Sequence, residues 1–482
     1  MRRKFATNLL FLFAANLLVK PFWIFGIDRV VQNQVGAEVY GTYFAVFNYS
    51  FLFSIILDFG INNFNNRAIS RSNKRAGDYL LNLLLIKTVL GLFYFALTLF
   101  SAVSAGYSTV QMRMLLFLGI NQVLLSAILY FRSNIAALQL FRTDSVISVL
   151  DRLLTIAFCL ALLYLPVFSN NFNISWFIYA QTLALLITAG VAFIVVMGKT
   201  TVKFHFWKFK FTRSVLLKSF PFALLGLLMG IYYRIDAVMI ERMLPNGARE
   251  AGIYAASFRL LDALNMFGYL FATLLLPMFA GMVRRKENVN QLVKFSAELM
   301  LVMAVIAGVN CFFFRNEIMH LLYHDSNEYW AEIFGWLMLN FIPMSSVYIF
   351  GTLLTAQGSL RVLNFIALGG MVANVGLNLF LIPRHGALGA TFATLITQLF
   401  VAVAHIIAAD KQFGFDYDGR DIIKLTAFTG SCVLALFLLG YSPLHWMVNF
   451  AIALTFCGVA ATVTKLVPVQ QFLALLKSKV AS

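Results

Sequence analysis

Apolar residues run along this chain in long, nearly unbroken blocks separated by short polar or basic stretches. This is neither the alternation of a half-buried strand nor the one-sided stripe of a helix on a water-facing core. Most blocks are close to the roughly 20 residues an α-helix needs to cross the hydrocarbon of a bilayer. Spans are predicted over 5–27, 39–64, 79–102, 112–133, 146–168 and 174–198. A second group falls at 219–241, 252–281, 295–314, 331–355, 363–382 and 386–408, and two more at 425–440 and 446–466. The pattern predicts an all-α integral membrane protein of about 14 transmembrane helices. The first block does not read as a cleaved leader. It is too long, and Pro21, Phe22 and Trp23 stand where a cleavage site needs small residues.

Composition agrees with the pattern. Of 482 residues, 61% are hydrophobic and only 12% charged, where a soluble domain carries about 25% charged residues. So few charges exclude a soluble, disordered or secreted disulfide-rich chain. The net charge of +17 would suggest nucleic acid in a soluble protein. Here it sorts by side. With the N-terminus inside, inner segments hold 26 Lys and Arg and outer segments 6. That asymmetry predicts cytoplasmic N- and C-termini and an even number of spans. Cys159, Cys311, Cys432 and Cys457 each sit alone in apolar surroundings, so neither a disulfide nor a zinc site is expected.

The inner loop 199–218 alternates Lys203, Lys208 and Lys210 with Phe204, Phe206, Trp207 and Phe209. Such a segment suits the surface of an anionic leaflet. It also divides the chain into 1–198 (spans 1–6) and 219–408 (spans 7–12), with 409–482 carrying the last two spans and a tail. The halves share a pattern. Asp28, Gly36-Ala37 and Gly41-x-Tyr43 match Asp236, Gly247-Ala248 and Gly252-x-Tyr254, the second copy being three residues longer. Six spans per half give both copies one orientation, related by an axis along the membrane normal. Transporters built this way hold substrate between the halves and rock around it.

Several stretches carry a family resemblance: N-L-L-V-K-P-F-W-I-F-G-I-D-R, D-F-G-I-N-N-F-N-N-R, Y-Y-R-I-D-A-V-M-I, G-I-Y-A-A-S-F-R-L and L-I-P-R-H-G-A-L-G-A-T-F-A-T. In this order they resemble bacterial Wzx-type polysaccharide flippases, which move O-antigen or capsule repeat units. These belong to the superfamily that also holds lipid II flippases and MATE drug exporters. The resemblance implies a two-lobed transporter in the bacterial inner membrane. It would turn an undecaprenyl-diphosphate-linked oligosaccharide from the inner to the outer leaflet by alternating access. It also implies a polysaccharide polymerase and chain-length machinery as partners in lipopolysaccharide or capsule assembly.

Ionisable residues inside a membrane are costly and point to a cavity or a partner. The cations placed this way are Lys20, Lys87, Arg152, Arg234 and Arg259. Arg offers a bidentate fork and Lys a compact charge, and both suit a diphosphate. Each has a plainer reading. Lys20 and Lys87 can snorkel to an interface, Arg152 can pair with Asp151, and Arg259 can pair with Asp262 on the same helix face. In span 2, Ser54, Asp58, Asn62 and Asn65 recur at helical spacing. They line either the substrate cavity, with Asn62 and Asn65 as sugar contacts, or a seam between helices. Asn374, Asn378, Thr391, Thr394 and Gln398 offer weaker sugar contacts. Asp58 and Asp236 are the candidates for ion coupling; Asp58 paired with Lys20 or Lys87 is the alternative. Prolines 21, 221, 277 and 343 mark bends.

No nucleophile elbow, phosphate-binding loop or HExxH motif occurs, and no large loop can house a catalytic domain. The chain reads as a transporter rather than an enzyme, with no cofactor, no metal site and no nucleic-acid partner. Its partners are the lipid-linked glycan and membrane lipids, and its energy comes from a coupling proton or sodium ion, the membrane potential or downstream removal of product. A lipid II flippase or a MATE-like drug antiporter is the alternative. The equal number of intramembrane cations and acids favours an anionic ligand over a cationic drug.

Overall fold

A computed structural model of the chain describes residues 19, 21–61, 76–169, 171–200, 209–415, 419–464 and 466. Every regular element among them is helical. A π-helical turn, Trp23–Asp28, runs into Arg29–Val35, and the two together form α1. After it come α2 (Ala37–Asp58), α3 (Ala76–Ser104), α4 (Thr109–Ala137), α5 (Phe141–Tyr164) and α6 (Ile174–Lys199). Then follow α7 (Phe209–Met243), α8 (Gly247–Arg285), α9 (Asn290–Phe313) and α10 (Glu328–Gln357). The last three are α11 (Leu360–Phe413), α12 (Gly419–Leu439) and α13 (Trp446–Val463).

Among the described residues, 12 helices are long and apolar enough to cross a membrane. One of them, α11, is 54 residues long with a non-helical Gly386 (φ 62°, ψ −140°) inside it. That is about twice the length of one crossing, and the break falls where spans 363–382 and 386–408 were expected to part. Residues 5–18 and 20 of the first expected span lie outside the described residues, and α1 is its visible end.

Local chemistry sets several ends. The Ser108 side chain accepts from the Gln111 backbone and the Gln111 side chain from the Ser108 backbone, a capping box that starts α4. Asn173 and Asn327 cap α6 and α10. Both π-helical turns come just after a proline, Trp23–Asp28 after Pro21 and Val347–Gly351 after Pro343. A residue with no N–H unsettles the hydrogen-bond register there.

The chain packs as two compact units, Met1–Ala255 and Ala256–Ser482. In the first, Leu83 and Ile86 of α3 meet Ile128, Tyr130 and Phe131 of α4, Ile147 of α5 and Ala192 of α6. In the second, Val302, Val305 and Val309 of α9 pack on Phe428 and Cys432 of α12 and on Ala453 and Cys457 of α13. The expected linker 199–218 cannot be followed, since residues 201–208 lie outside the described residues. Large apolar side chains also point outward: Phe100 is 71% exposed and Phe365 74%. A surface this apolar belongs in lipid.

Candidate functional site

The end of α2 is the first ionic site. The helix ends at Asp58, and the backbone turns left-handed at Phe59 (φ 44°) and Gly60 (φ 78°). The expected stripe of Ser54, Asp58, Asn62 and Asn65 is corrected here. Helical spacing stops at Asp58, so it no longer fixes where Asn62 and Asn65 lie, and both fall outside the described residues. Lys87 of α3 closes this end. Its Nζ donates to the Leu57 carbonyl at 2.9 Å, the Asp58 carboxylate at 3.1 Å and the Ser126 hydroxyl at 2.9 Å. All three donors of the ammonium are used. A cation at the last turn also opposes the negative end of the helix dipole. Lys87 thus serves the fold by closing α2, with its side chain 7% exposed.

The other cations sit against rings. The Arg152 guanidinium lies 5.4 Å from the Trp23 ring centroid, and its Nε is 3.7 Å from Asp151. Trp23 in turn stacks on Phe177. Arg234 lies half-buried, 5.4 Å from the Phe51 ring centroid. A ring contact uses the face of the guanidinium, whose N–H donors lie in the plane of the group. In the second unit, Arg259 and Asp262 are both half-buried on α8. Lys20 lies outside the described residues.

The matched stretches of the two halves meet inside the first unit. A Cβ on Gly41 would stand 1.8 Å from the Ala248 carbonyl oxygen, and one on Gly252 would stand 1.9 Å from that of Ala37. The backbones of α2 and α8 touch at these glycines, as small residues allow in membrane helices. Gln32 seals the crossing by donating to the Gly252 carbonyl at 2.9 Å. Both matched aspartates are buried and accept from a tyrosine: Tyr40 to Asp28 at 2.6 Å, Tyr254 to Asp236 at 2.8 Å. Sequence reasoning singled out the acids and passed over Tyr40, Tyr254 as a partner and Gln32. Of these only Tyr254 stood in the repeated Gly-x-Tyr, whose first copy holds Tyr43 and not Tyr40.

A second cluster missed in the sequence lies where α3 and α7 end and α4 begins. Gln111 donates to Glu241 at 2.7 Å, and Arg242 pairs with Glu241 at 2.9 Å. The Arg242 guanidinium lies 3.6 Å from the Tyr107 ring centroid. Burial pushes the Tyr107 hydroxyl above its ordinary pKa, so it stays protonated. Counted by side, Arg242 was only a loop charge.

In the second unit, Asn378 of α11 donates to Asn374 at 3.1 Å, and both are fully buried. Thr391, Thr394 and Gln398 are buried on the half of α11 beyond Gly386. Among the described residues no three His, Cys, Asp or Glu side chains are grouped to hold a metal ion.

Known proteins resemble this chain in sequence and in fold. The chain is 24% identical over 181 residues to the lipid III flippase of Escherichia coli (strain K12), which is 37% of this chain and 43% of that protein. It is 26% identical over 201 residues to a membrane protein of Methanocaldococcus jannaschii, 41% and 46% of the two chains. It thus spans less than half the length of these curated relatives. Its fold is similar to that of lipid II flippase MurJ in an inward closed conformation, with a TM-score of 0.71, 14% identity and 98% of both chains covered. An inward-facing MATE family multidrug transporter gives 0.64 and 12%, covering 81% of this chain and 94% of that one. The family model described as polysaccharide biosynthesis protein matches residues 5–283. That match takes in more than half of the chain, including both matched hairpins and every candidate cation, and the chain belongs to this family.

Proposed function

We propose that this protein flips an undecaprenyl-diphosphate-linked oligosaccharide repeat unit from the inner to the outer leaflet by alternating access. The supporting observation is a set of guanidinium groups held within membrane spans, Arg152 and Arg234 against rings, in a chain whose fold resembles a lipid II flippase along its whole length. A lipid III flippase among its relatives favours a lipid-linked glycan over a small drug. In this reading Lys20, Arg234 and Arg259 bind the diphosphate, with Lys87 and Arg152 supporting them, and Asn62 and Asn65 meet the sugars. Asp58 and Asp236 take up the coupling proton or sodium ion. The halves 1–198 and 219–408 are the two lobes.

The test is transport of lipid-linked glycan in proteoliposomes. Alanine at Lys20, Arg234 or Arg259 is expected to lower transport at least about tenfold each, the scale of one charge-assisted hydrogen bond. Lys20→Arg keeps part of the activity. Normal transport by all three alanine variants refutes the diphosphate site. Transport of lipid II in preference to the oligosaccharide carrier reassigns the substrate.

The same proposal places both termini and the 199–218 loop in the cytoplasm. A single cysteine at position 208, in a protein lacking its four native cysteines, is expected to resist impermeant thiol reagents in intact cells and to react after lysis. Labelling from outside reverses the orientation.

A further inference from the structure

A cavity of about 570 Å³ opens in the second unit, and none of the candidate cations lines it. Four chain segments enter or leave the membrane around it. Asn290 starts α9, Phe415 follows α11, Asp421 stands in the first turn of α12, and Leu466 follows α13. One mouth is therefore at a membrane face. The wall runs inward along α9 from Asn290 to Leu301, a depth of about 16 Å at 1.5 Å per residue. That is about the thickness of one leaflet's hydrocarbon. Phe350, Ile406 and Leu425 make the inner wall apolar.

The mouth is charged in both signs. Lys294 pairs with Asp421, and Lys424 also reaches Asp421 at 3.5 Å. Glu298 stands on the cavity wall one turn beyond Lys294 and has no hydrogen bond or ion pair among the described residues. One ammonium, Lys294, and two carboxylates, Glu298 and Asp421, thus line an apolar slot of one leaflet's depth, with the Lys424 ammonium beside Asp421. A purely anionic lipid, the diphosphate carrier included, would bring its phosphates against Asp421 and Glu298. A zwitterion satisfies both signs, with phosphate on the lysines and amine on the acids. A primary ammonium can donate hydrogen bonds to Glu298, and a quaternary one cannot.

We infer that this cavity is a binding site for a phospholipid with a primary-amine head group, seated with an acyl chain between α9, α10, α11 and α12. None of the residues proposed for transport lines this cavity, and its test does not depend on transport. Full-length protein in detergent is titrated with phosphatidylethanolamine, phosphatidylcholine and phosphatidylglycerol of matched chains and read by native mass spectrometry. The unmodified protein is expected to show one saturable phosphatidylethanolamine adduct, about tenfold tighter than either other lipid. Ala297→Trp fills the slot and removes the adduct. Glu298→Gln keeps the shape and drops phosphatidylethanolamine to the phosphatidylcholine level, so the inference is tested even if the tryptophan variant fails to fold. Equal binding of the three lipids, or preference for phosphatidylethanolamine kept in Glu298→Gln, overturns it. So does an undecaprenyl diphosphate adduct lost in either variant, which would give the cavity to the anionic carrier.

Discussion

Gly252→Ala is expected to cost about 3 kcal/mol of stability and to abolish transport. The added methyl would stand 1.9 Å from the Ala37 carbonyl oxygen, and that oxygen belongs to backbone, which cannot rotate aside. The helices must separate. Overpacking of this kind costs about 1–3 kcal/mol. Separation also breaks the 2.9 Å bond from Gln32 to the Gly252 carbonyl, and stranding a buried polar group costs about 1–3 kcal/mol more. Gly41→Ala meets the Ala248 oxygen and should behave the same way. Thermal unfolding in detergent and proteoliposome transport measure the two effects. A variant that melts and transports like the unmodified protein would show that α2 and α8 do not touch in the working molecule.

Asp58→Asn is the second large effect, and it separates two roles. Lys87 is 7% exposed and the Asp58 side chain 29%, so the pair is neither fully buried nor at the surface. Losing one partner of a buried pair costs about 3–5 kcal/mol, and water at Asp58 brings the expected loss to about 2 kcal/mol. If Asp58 serves chiefly to hold Lys87 over the end of α2, Asp58→Asn lowers the melting midpoint. Adding Lys87→Met then restores it, because Ser126 still donates to the Leu57 carbonyl at 3.1 Å. If Asp58 carries the coupling ion, Asp58→Asn stays folded and binds the lipid-linked glycan, but transport no longer follows an imposed pH or sodium gradient. Gradient-driven transport by this variant at the unmodified rate removes Asp58 from coupling.

Span positions were legible because the bilayer sets one length for every helix. Expected 174–198 is observed as Ile174–Lys199, and 446–466 as Trp446–Val463. The Pro383-Arg384-His385-Gly386 run was enough to divide α11. The candidate cations were legible for the same reason, since charge is rare in hydrocarbon. Their surroundings were not. In a helix apolar on every side, periodicity does not separate the face that meets lipid from the face that meets protein. Nothing in the sequence says that Arg152 chooses Trp23, or that Gly41 rests on Gly252. The polar stripe of α2 misled because regular spacing was read across Phe59 and Gly60, where the backbone leaves the helix.

The two tyrosine–aspartate pairs also say how this chain has been able to change length. Measured from the matched glycines, Asp28 lies eight residues before Gly36 and Tyr40 four after it, while Asp236 lies eleven before Gly247 and Tyr254 seven after it. The first arm of the second hairpin is three residues longer, close to one helical turn, while on the returning arm Gly41 and Gly252 each stand five residues after the matched glycine. The acid has moved one turn away from the bend, and the tyrosine that meets it is the one a turn further along the returning helix. Lengthening one arm by a whole turn keeps the bond and changes only which tyrosine makes it, because the returning helix offers tyrosines one turn apart at Tyr40 and Tyr43. Homologues of this hairpin should therefore differ in the length of the acid-bearing arm by whole turns, and the tyrosine should be found wherever the count from the bend puts it.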